Sequence, residues 1–286
     1  QKLAFANSYD TGTGIDLEGT KSLEGRTLKD GEFTFEVKDK AGKVVATGSN
    51  KSDGSISFNN KLNYKLSDLE KADGSYESEK TYEYTVNEVI PEGATAENNY
   101  TVNGVTYDNS IFTVKVIVSY DQATGIMSAA FAEDSQELIF DNTYDAKGSL
   151  TLEASKTLKN KALEADAFNF VLKDKNGETI QTVANDADGN VTFSPLNYTL
   201  KDVGTHVYTV SEVQRENTEV TYDTTEYTVE VTVADAGNGK LKVSKTIKKG
   251  DDTVDAIAFE NIYKGVIDIS GSKTWNDADN QDGIRP

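Results

Sequence analysis

The chain contains no cysteine among its 286 residues, which excludes disulfides, thiolate zinc sites and a cysteine nucleophile. Any covalent cross-link must draw on other chemistry. Positive charge is also in short supply: 29 Lys and Arg stand against 48 Asp and Glu, a net charge of −19. Nucleic acid and anionic membrane surfaces are polyanions that such a surface repels. There is no apolar run of the roughly 18 residues a membrane helix needs, and no charged-then-apolar secretory leader. The sequence starts at Gln1 and stops at Pro286, and the expectation is that it was cut from a longer parent. Histidine occurs once, at His206, at a strand start where a solvated imidazole is the simplest reading. Gly-x-Ser-x-Gly elbows and phosphate-binding glycine loops are missing, so turnover of an outside substrate is not expected, and nothing calls for a cofactor.

What is present is short alternating runs rich in Val, Ile, Thr, Tyr and Phe, separated by polar clusters such as "DKAGK", "KSDGS", "DKNGE" and "DADGN". Period-2 alternation between such turns predicts an all-β chain. "NDADGN" at 185–190 and "NDADNQDG" at 276–283 have acidic spacing like calcium loops. Neither carries the closing bidentate glutamate of an EF-hand; Asp-Gly turns explain them, and no metal site is expected.

The chain repeats itself. "IDLEGTKSLEGRTLKDGEFTFEVKDKAGK" at 15–43 aligns without a gap with "LTLEASKTLKNKALEADAFNFVLKDKNGE" at 150–178. "YEYTVNEV" at 82–89 matches "HVYTVSEV" at 206–213, and "VTYDNSIFTVKVIV" matches "VTYDTTEYTVEVTV". Each copy closes on an aromatic-x-Asn-x-Tyr strand, "FDNTY" in one and "FENIY" in the other. The expected organisation is a last strand of a truncated preceding repeat (1–9), a first complete repeat (10–147), a second (148–265), and the first strand of a truncated following repeat (266–286). The first copy is longer mainly through "SDLEKADGSYESEK" at 67–80, read as a polar surface loop.

Alternation then places three polar residues on apolar faces of each copy. In the opening strand Ile15, Leu17, Gly19, Lys21 and Leu23 share a side, as do Leu150, Leu152, Ala154, Lys156 and Leu158. Tyr84, Val86 and Glu88 share another, as do Tyr208, Val210 and Glu212; Phe140, Asn142 and Tyr144, and Phe259, Asn261 and Tyr263, share a third. Charged groups left unpaired in such surroundings cost several kcal/mol each, of order ~3–5, so the three are expected to touch. Burial would lower the lysine pKa and raise that of the glutamate, leaving a neutral, nucleophilic amine. Against the asparagine amide it could attack, with the glutamic acid donating to the amide oxygen and shuttling protons while ammonia leaves. Parity alone leaves two readings open: a Lys–Asn isopeptide bond, or a buried hydrogen-bonded Lys–Glu pair beside an asparagine.

The ordered set "GTKSLEGR", "YTVNEV", "FDNTY" in one copy and "ASKTLKNK", "YTVSEV", "FENIY" in the other resembles the pilin isopeptide-linkage domains of Gram-positive bacteria, of the streptococcal T-antigen backbone-pilin type, over roughly residues 10–264. The resemblance implies tandem immunoglobulin-like β-sandwiches, each with a self-made Lys–Asn bond: Lys21 to Asn142 with Glu88 assisting, and Lys156 to Asn261 with Glu212 assisting. "ISGSKTWNDADNQDGIRP" is similar to the start of a collagen-adhesin B-type repeat, in which Lys273 would be the nucleophile; Asn7 is the matching orphan at the other end. The implied role is a mechanically and proteolytically resistant stalk or shaft module of a bacterial surface adhesin or pilus. Its location would be extracellular, at the cell surface, with wall anchoring through other parts of the parent. Its partners would be neighbouring modules of the same polypeptide and, in an alternative adhesin reading, a host protein or glycan gripped by loops such as 67–80. Three features depart from the family pattern: no Tyr-Pro-Lys type motif and no Leu-Pro-x-Thr-Gly sorting signal occur here, and "FENIY" has isoleucine in place of threonine or serine.

Overall fold

A computed structural model describes residues 10–265 and 270–274. Among them every extended element is a β-strand, joined by turns and three short 3₁₀ turns, with no α-helix. The chain divides into two compact units, the first formed mainly by residues up to Gly148 and the second mainly by those from Ser149 onward.

In the first copy a six-stranded sheet is built on Thr34–Asp39, Val44–Asn50, Ile56–Phe58, Glu79–Glu88, Ile111–Asp121 and Ile126–Phe131. A four-stranded sheet joins Thr20–Glu24, Ile139–Tyr144, Val105–Thr106 and Thr101–Val102. The inner faces meet through Phe35, Phe112 and Phe140, whose rings lie 4.8 Å apart in both the Phe35–Phe140 and Phe112–Phe140 pairs. This is a β-sandwich: side chains at alternate positions of both sheets interdigitate into one core. The second copy repeats it, with a six-stranded and a four-stranded sheet and Phe170 and Tyr227 packed on Phe259 at 5.1 and 5.3 Å.

The pairing of the outermost strands positions everything that follows. Thr20–Glu24 runs parallel to Ile139–Tyr144, with Lys21 opposite Phe140 and Leu23 opposite Asn142. Glu153–Lys159 likewise runs parallel to Ile257–Tyr263, with Lys156 opposite Phe259 and Leu158 opposite Asn261. The lysine strand near the start of each copy and its last strand are therefore neighbours, and their polar residues sit one pleat apart on the same face.

Two expectations need correction. The opening strand is not continuous: Gly12–Ile15 pairs with Leu62–Lys65, and only Thr20–Glu24 joins the four-stranded sheet. Lys147–Leu150 and Glu153–Lys159 divide in the same way. A strand that turns the corner of a sandwich must change sheets, and parity survives the break because Leu17 stays buried. The 67–80 stretch is only partly a surface loop. Leu66–Leu69 is a 3₁₀ turn that buries Leu69 completely, the Glu77 amide donates to the Leu69 carbonyl, and Tyr76 packs edge-on against Tyr120.

Candidate functional site

The lysine backbone is held on both sides. One edge of its strand pairs with the asparagine strand; on the other, the Lys21 N–H donates to the Gly54 carbonyl and the Lys156 N–H to that of Gly189, both at 2.7 Å. Gly54 and Gly189 belong to the Asp-Gly turns and adopt φ of 89° and 87°, which side chains disfavour. A Cβ on Gly189 would collide with the Lys156 carbonyl oxygen. In "NDADGN" the Asp186 carboxylate accepts from the Asp188 and Asn190 N–H groups and the Asn190 amide, forming a turn. Among the described residues no group of three or more His, Cys, Asp or Glu is arranged to hold a metal; 276–283 lie outside them.

From these supports Lys21, Glu88 and Asn142 converge between the sheets, each at most 3 % exposed. Lys and Asn come from the four-stranded sheet and Glu from the six-stranded one. Lys21 Nζ lies 2.8 Å from Glu88 Oε2, and Asn142 Nδ2 donates to Glu88 Oε1 at 2.8 Å. The second copy matches: Lys156 Nζ to Glu212 Oε2 at 2.7 Å, Asn261 Nδ2 to Glu212 Oε1 at 2.6 Å. One carboxyl group thus spans the amine and the amide nitrogen. The Phe33 ring centroid is 4.8 Å from Lys21 Nζ and that of Phe168 4.5 Å from Lys156 Nζ. Tyr107 and Tyr222 lie edge-on behind those rings, 5.9 Å away.

Burial dominates the electrostatics. It pulls the Lys21 and Lys156 pKa below the ordinary amine value against the opposing effect of Glu88 and Glu212. It pushes Glu88 and Glu212 above the ordinary carboxylate value although each faces a lysine. Both shifts favour the form in which the proton rests on the acid and the amine is neutral.

The amide orientation differs from expectation. Asn142 Oδ1 accepts from the Asp108 backbone N–H and Asn261 Oδ1 from that of Asp223, both at 2.7 Å. A backbone N–H can only donate, so the oxygen must face it and the glutamic acid meets the amide nitrogen, not the oxygen as expected from sequence. The Asp108 side chain is itself tied down, accepting from Ser110 N and Asp141 N; Asp223 accepts from Thr225 N and Glu260 N. Burial alone would raise the pKa of both aspartates, but these hydrogen bonds outweigh it and keep them below the usual carboxylate range. Sequence reasoning missed Phe33, Phe168, Asp108 and Asp223. The one available signal for the aspartates was "VTYD", repeated in both copies.

The aromatic-x-Asn-x-Tyr pattern now has a physical account. Phe140 and Phe259 fill the core beside the site, the asparagine enters it, and the tyrosine ring supports a cation: Arg26 lies 4.7 Å from the Tyr144 centroid and Lys161 5.0 Å from that of Tyr263. Lys273 is exposed and outside regular structure; Asn7 lies outside the described residues.

Comparison with known proteins agrees with the repeat. The family model for FctA, the Spy0128-like isopeptide-containing domain, matches residues 17–145 and again 152–264. No curated protein sequence matches the chain. Among solved structures, the major pilin of Streptococcus pyogenes is similar at 18 % identity, covering 90 % of this chain and 99 % of that one with a TM-score of 0.32. A C-terminal fragment of the pilus adhesin SpaC from Lactobacillus rhamnosus GG is similar at 14 % identity, covering 90 % and 100 % with a TM-score of 0.33. With most of each copy matched by one family model, this all-β chain belongs to the family of Spy0128-like isopeptide-containing domains.

Proposed function

We propose that each copy staples itself with an intramolecular isopeptide bond, Lys21–Asn142 in a module of residues 10–147 and Lys156–Asn261 in one of 148–265, and that the chain is a stretch of pilus shaft or adhesin stalk. The observation that carries this reading is the buried carboxyl group bridging amine and amide nitrogen in both copies. The neutral Nζ attacks the asparagine Cγ; a new C–N bond forms and the Cγ–Nδ2 bond breaks. Glu88 Oε2 receives the proton that the attacking nitrogen must lose, and Oε1 delivers one to Nδ2, so that nitrogen departs as ammonia. The glutamic acid ends as it began, and each site works once. No outside reagent is consumed.

The bond joins the second strand of a module to the last, so tension entering ahead of the lysine and leaving past the asparagine crosses a covalent link and bypasses most of the sandwich. Such a link also resists reductants that open disulfides. The setting is the bacterial cell surface, with other shaft subunits as partners and wall anchoring through other parts of the parent. The test is the intact mass of the denatured chain together with cross-linked peptide mapping. A deficit of two ammonia molecules, with peptides joining Lys21 to Asn142 and Lys156 to Asn261, is expected; an unshifted mass would refute the bond and leave a Lys–Glu pair beside an asparagine.

A further inference from the structure

In the stapling step each asparagine carbonyl must become a tetrahedral centre whose oxygen carries negative charge, inside a core where water cannot solvate it. Glu88 and Glu212 are committed to the two nitrogens. The donors on the oxygens are the backbone N–H groups of Asp108 and Asp223, at 2.7 Å in both copies.

We infer that the peptide N–H of Asp108, and that of Asp223 in the second copy, is the oxyanion donor for isopeptide formation, and that the aspartate carboxylate is the brace that aims it. This rests on the stapling reading above. A preorganised dipole pointed at developing charge in a dry site is the arrangement that speeds acyl transfer elsewhere, at ~100- to ~1000-fold for one donor. The brace works at two points. Oδ1 accepts from the amide two residues on, Ser110 or Thr225, which closes a tight turn and fixes the direction of the aspartate's own N–H. Oδ2 accepts from the residue just before the reacting asparagine, Asp141 or Glu260, locking that turn to the strand that carries the amide. The same three contacts recur in both copies although the flanking residues differ, Asn109 and Ser110 in one, Thr224 and Thr225 in the other. Atoms balance as before: the N–H stabilises the oxyanion without giving up its proton, and the carbonyl re-forms when ammonia leaves.

The decisive experiment removes only the N–H. Full chains made by cell-free synthesis, with residue 108 replaced by the α-hydroxy analogue of aspartate, have an ester oxygen where the N–H was and keep the carboxylate. Samples quenched in acid at intervals are followed by intact mass and peptide mapping, with circular dichroism confirming the fold. Lys21–Asn142 closure is expected to slow ~100-fold while Lys156–Asn261 keeps its normal rate. The same replacement at residue 223 reverses the pattern and serves as an independent trial should the first disturb folding. Asp108→Ala keeps the N–H but loses both braces; about tenfold slowing is expected, with Asp108→Asn, which retains one acceptor oxygen, falling between it and the unsubstituted chain. Two lost ammonias at unchanged rates in both ester chains would overturn the role of the N–H alone. Retention of both ammonias by the unsubstituted chain would overturn the bond and this step with it.

Discussion

Replacing Asn142 by alanine isolates what the staple contributes to the first module. The substitution leaves the Lys21–Glu88 pair in place and removes the electrophile. The link would close a loop of about 120 residues, for which chain entropy gives about 5 kcal/mol at 25 °C. Alanine also strands two buried partners of the amide, the Asp108 N–H and Glu88 Oε1, at a further cost of about 1–3 kcal/mol. A loss of about 6–8 kcal/mol in a module of this size lowers its melting temperature by roughly 20–30 °C. Calorimetry of the full chain should therefore show one transition moved down by that amount and the other, from the Lys156–Asn261 module, unmoved, while the intact mass shows one ammonia lost in place of two. A fall of only a few degrees, with the first bond absent from the variant and present in the parent, would refute the loop-closure reasoning.

Stapling rate, followed by quenched mass measurement, should be bell-shaped in pH. The reactive pair holds one proton, so a second, placed on Lys21 as pH falls, removes the nucleophile, and loss of the Glu88 proton as pH rises removes the acid; burial moves the first limb below the ordinary amine pKa and the second above the ordinary carboxylate pKa. Phe168→Ala, which empties the wall behind Lys156, should cost about 3–5 kcal/mol in urea unfolding of the second module before it is linked and should slow its closure; equal rates would deny the ring a part in desolvating the amine. Gly189→Ala forces a side chain into a positive-φ turn against the Lys156 carbonyl and should cost about 1–3 kcal/mol, read as a lowered urea midpoint for the second module. Under force, the unsubstituted modules should yield no extension between the linked residues, whereas Asn142→Ala should release about 400 Å of chain from the first.

Much of the site was legible because strand alternation is a strict period. A lysine, a glutamate and an asparagine on otherwise apolar faces stood out, and the repeat showed each of them twice. Alternation gives a residue's side but not its neighbour, so the parallel pairing that sets Lys21 one pleat from Asn142 was not readable. Nor was the sheet change between Ile15 and Thr20, since a corner preserves parity. The Asp108 N–H left no trace because a backbone donor belongs to every residue except proline; only the conformation of the turn makes it special. Leu69 was hidden by the polar residues around it, an apolar anchor two positions into a stretch that otherwise reads as solvent-facing.

The lysine, glutamate and asparagine come from the second, a middle and the last strand of each module, and this has a consequence for biosynthesis. The proposed chemistry could not start until the final strand has left the ribosome and slotted beside the lysine strand, the pairing with the greatest sequence separation in the module and hence the one whose closure entropy is largest. A chain that pairs its strands wrongly never assembles the three groups and stays open to proteases. On the proposed chemistry, stapling would act as an irreversible checkpoint: it would turn a reversible folding equilibrium into a permanent record that the module was built correctly.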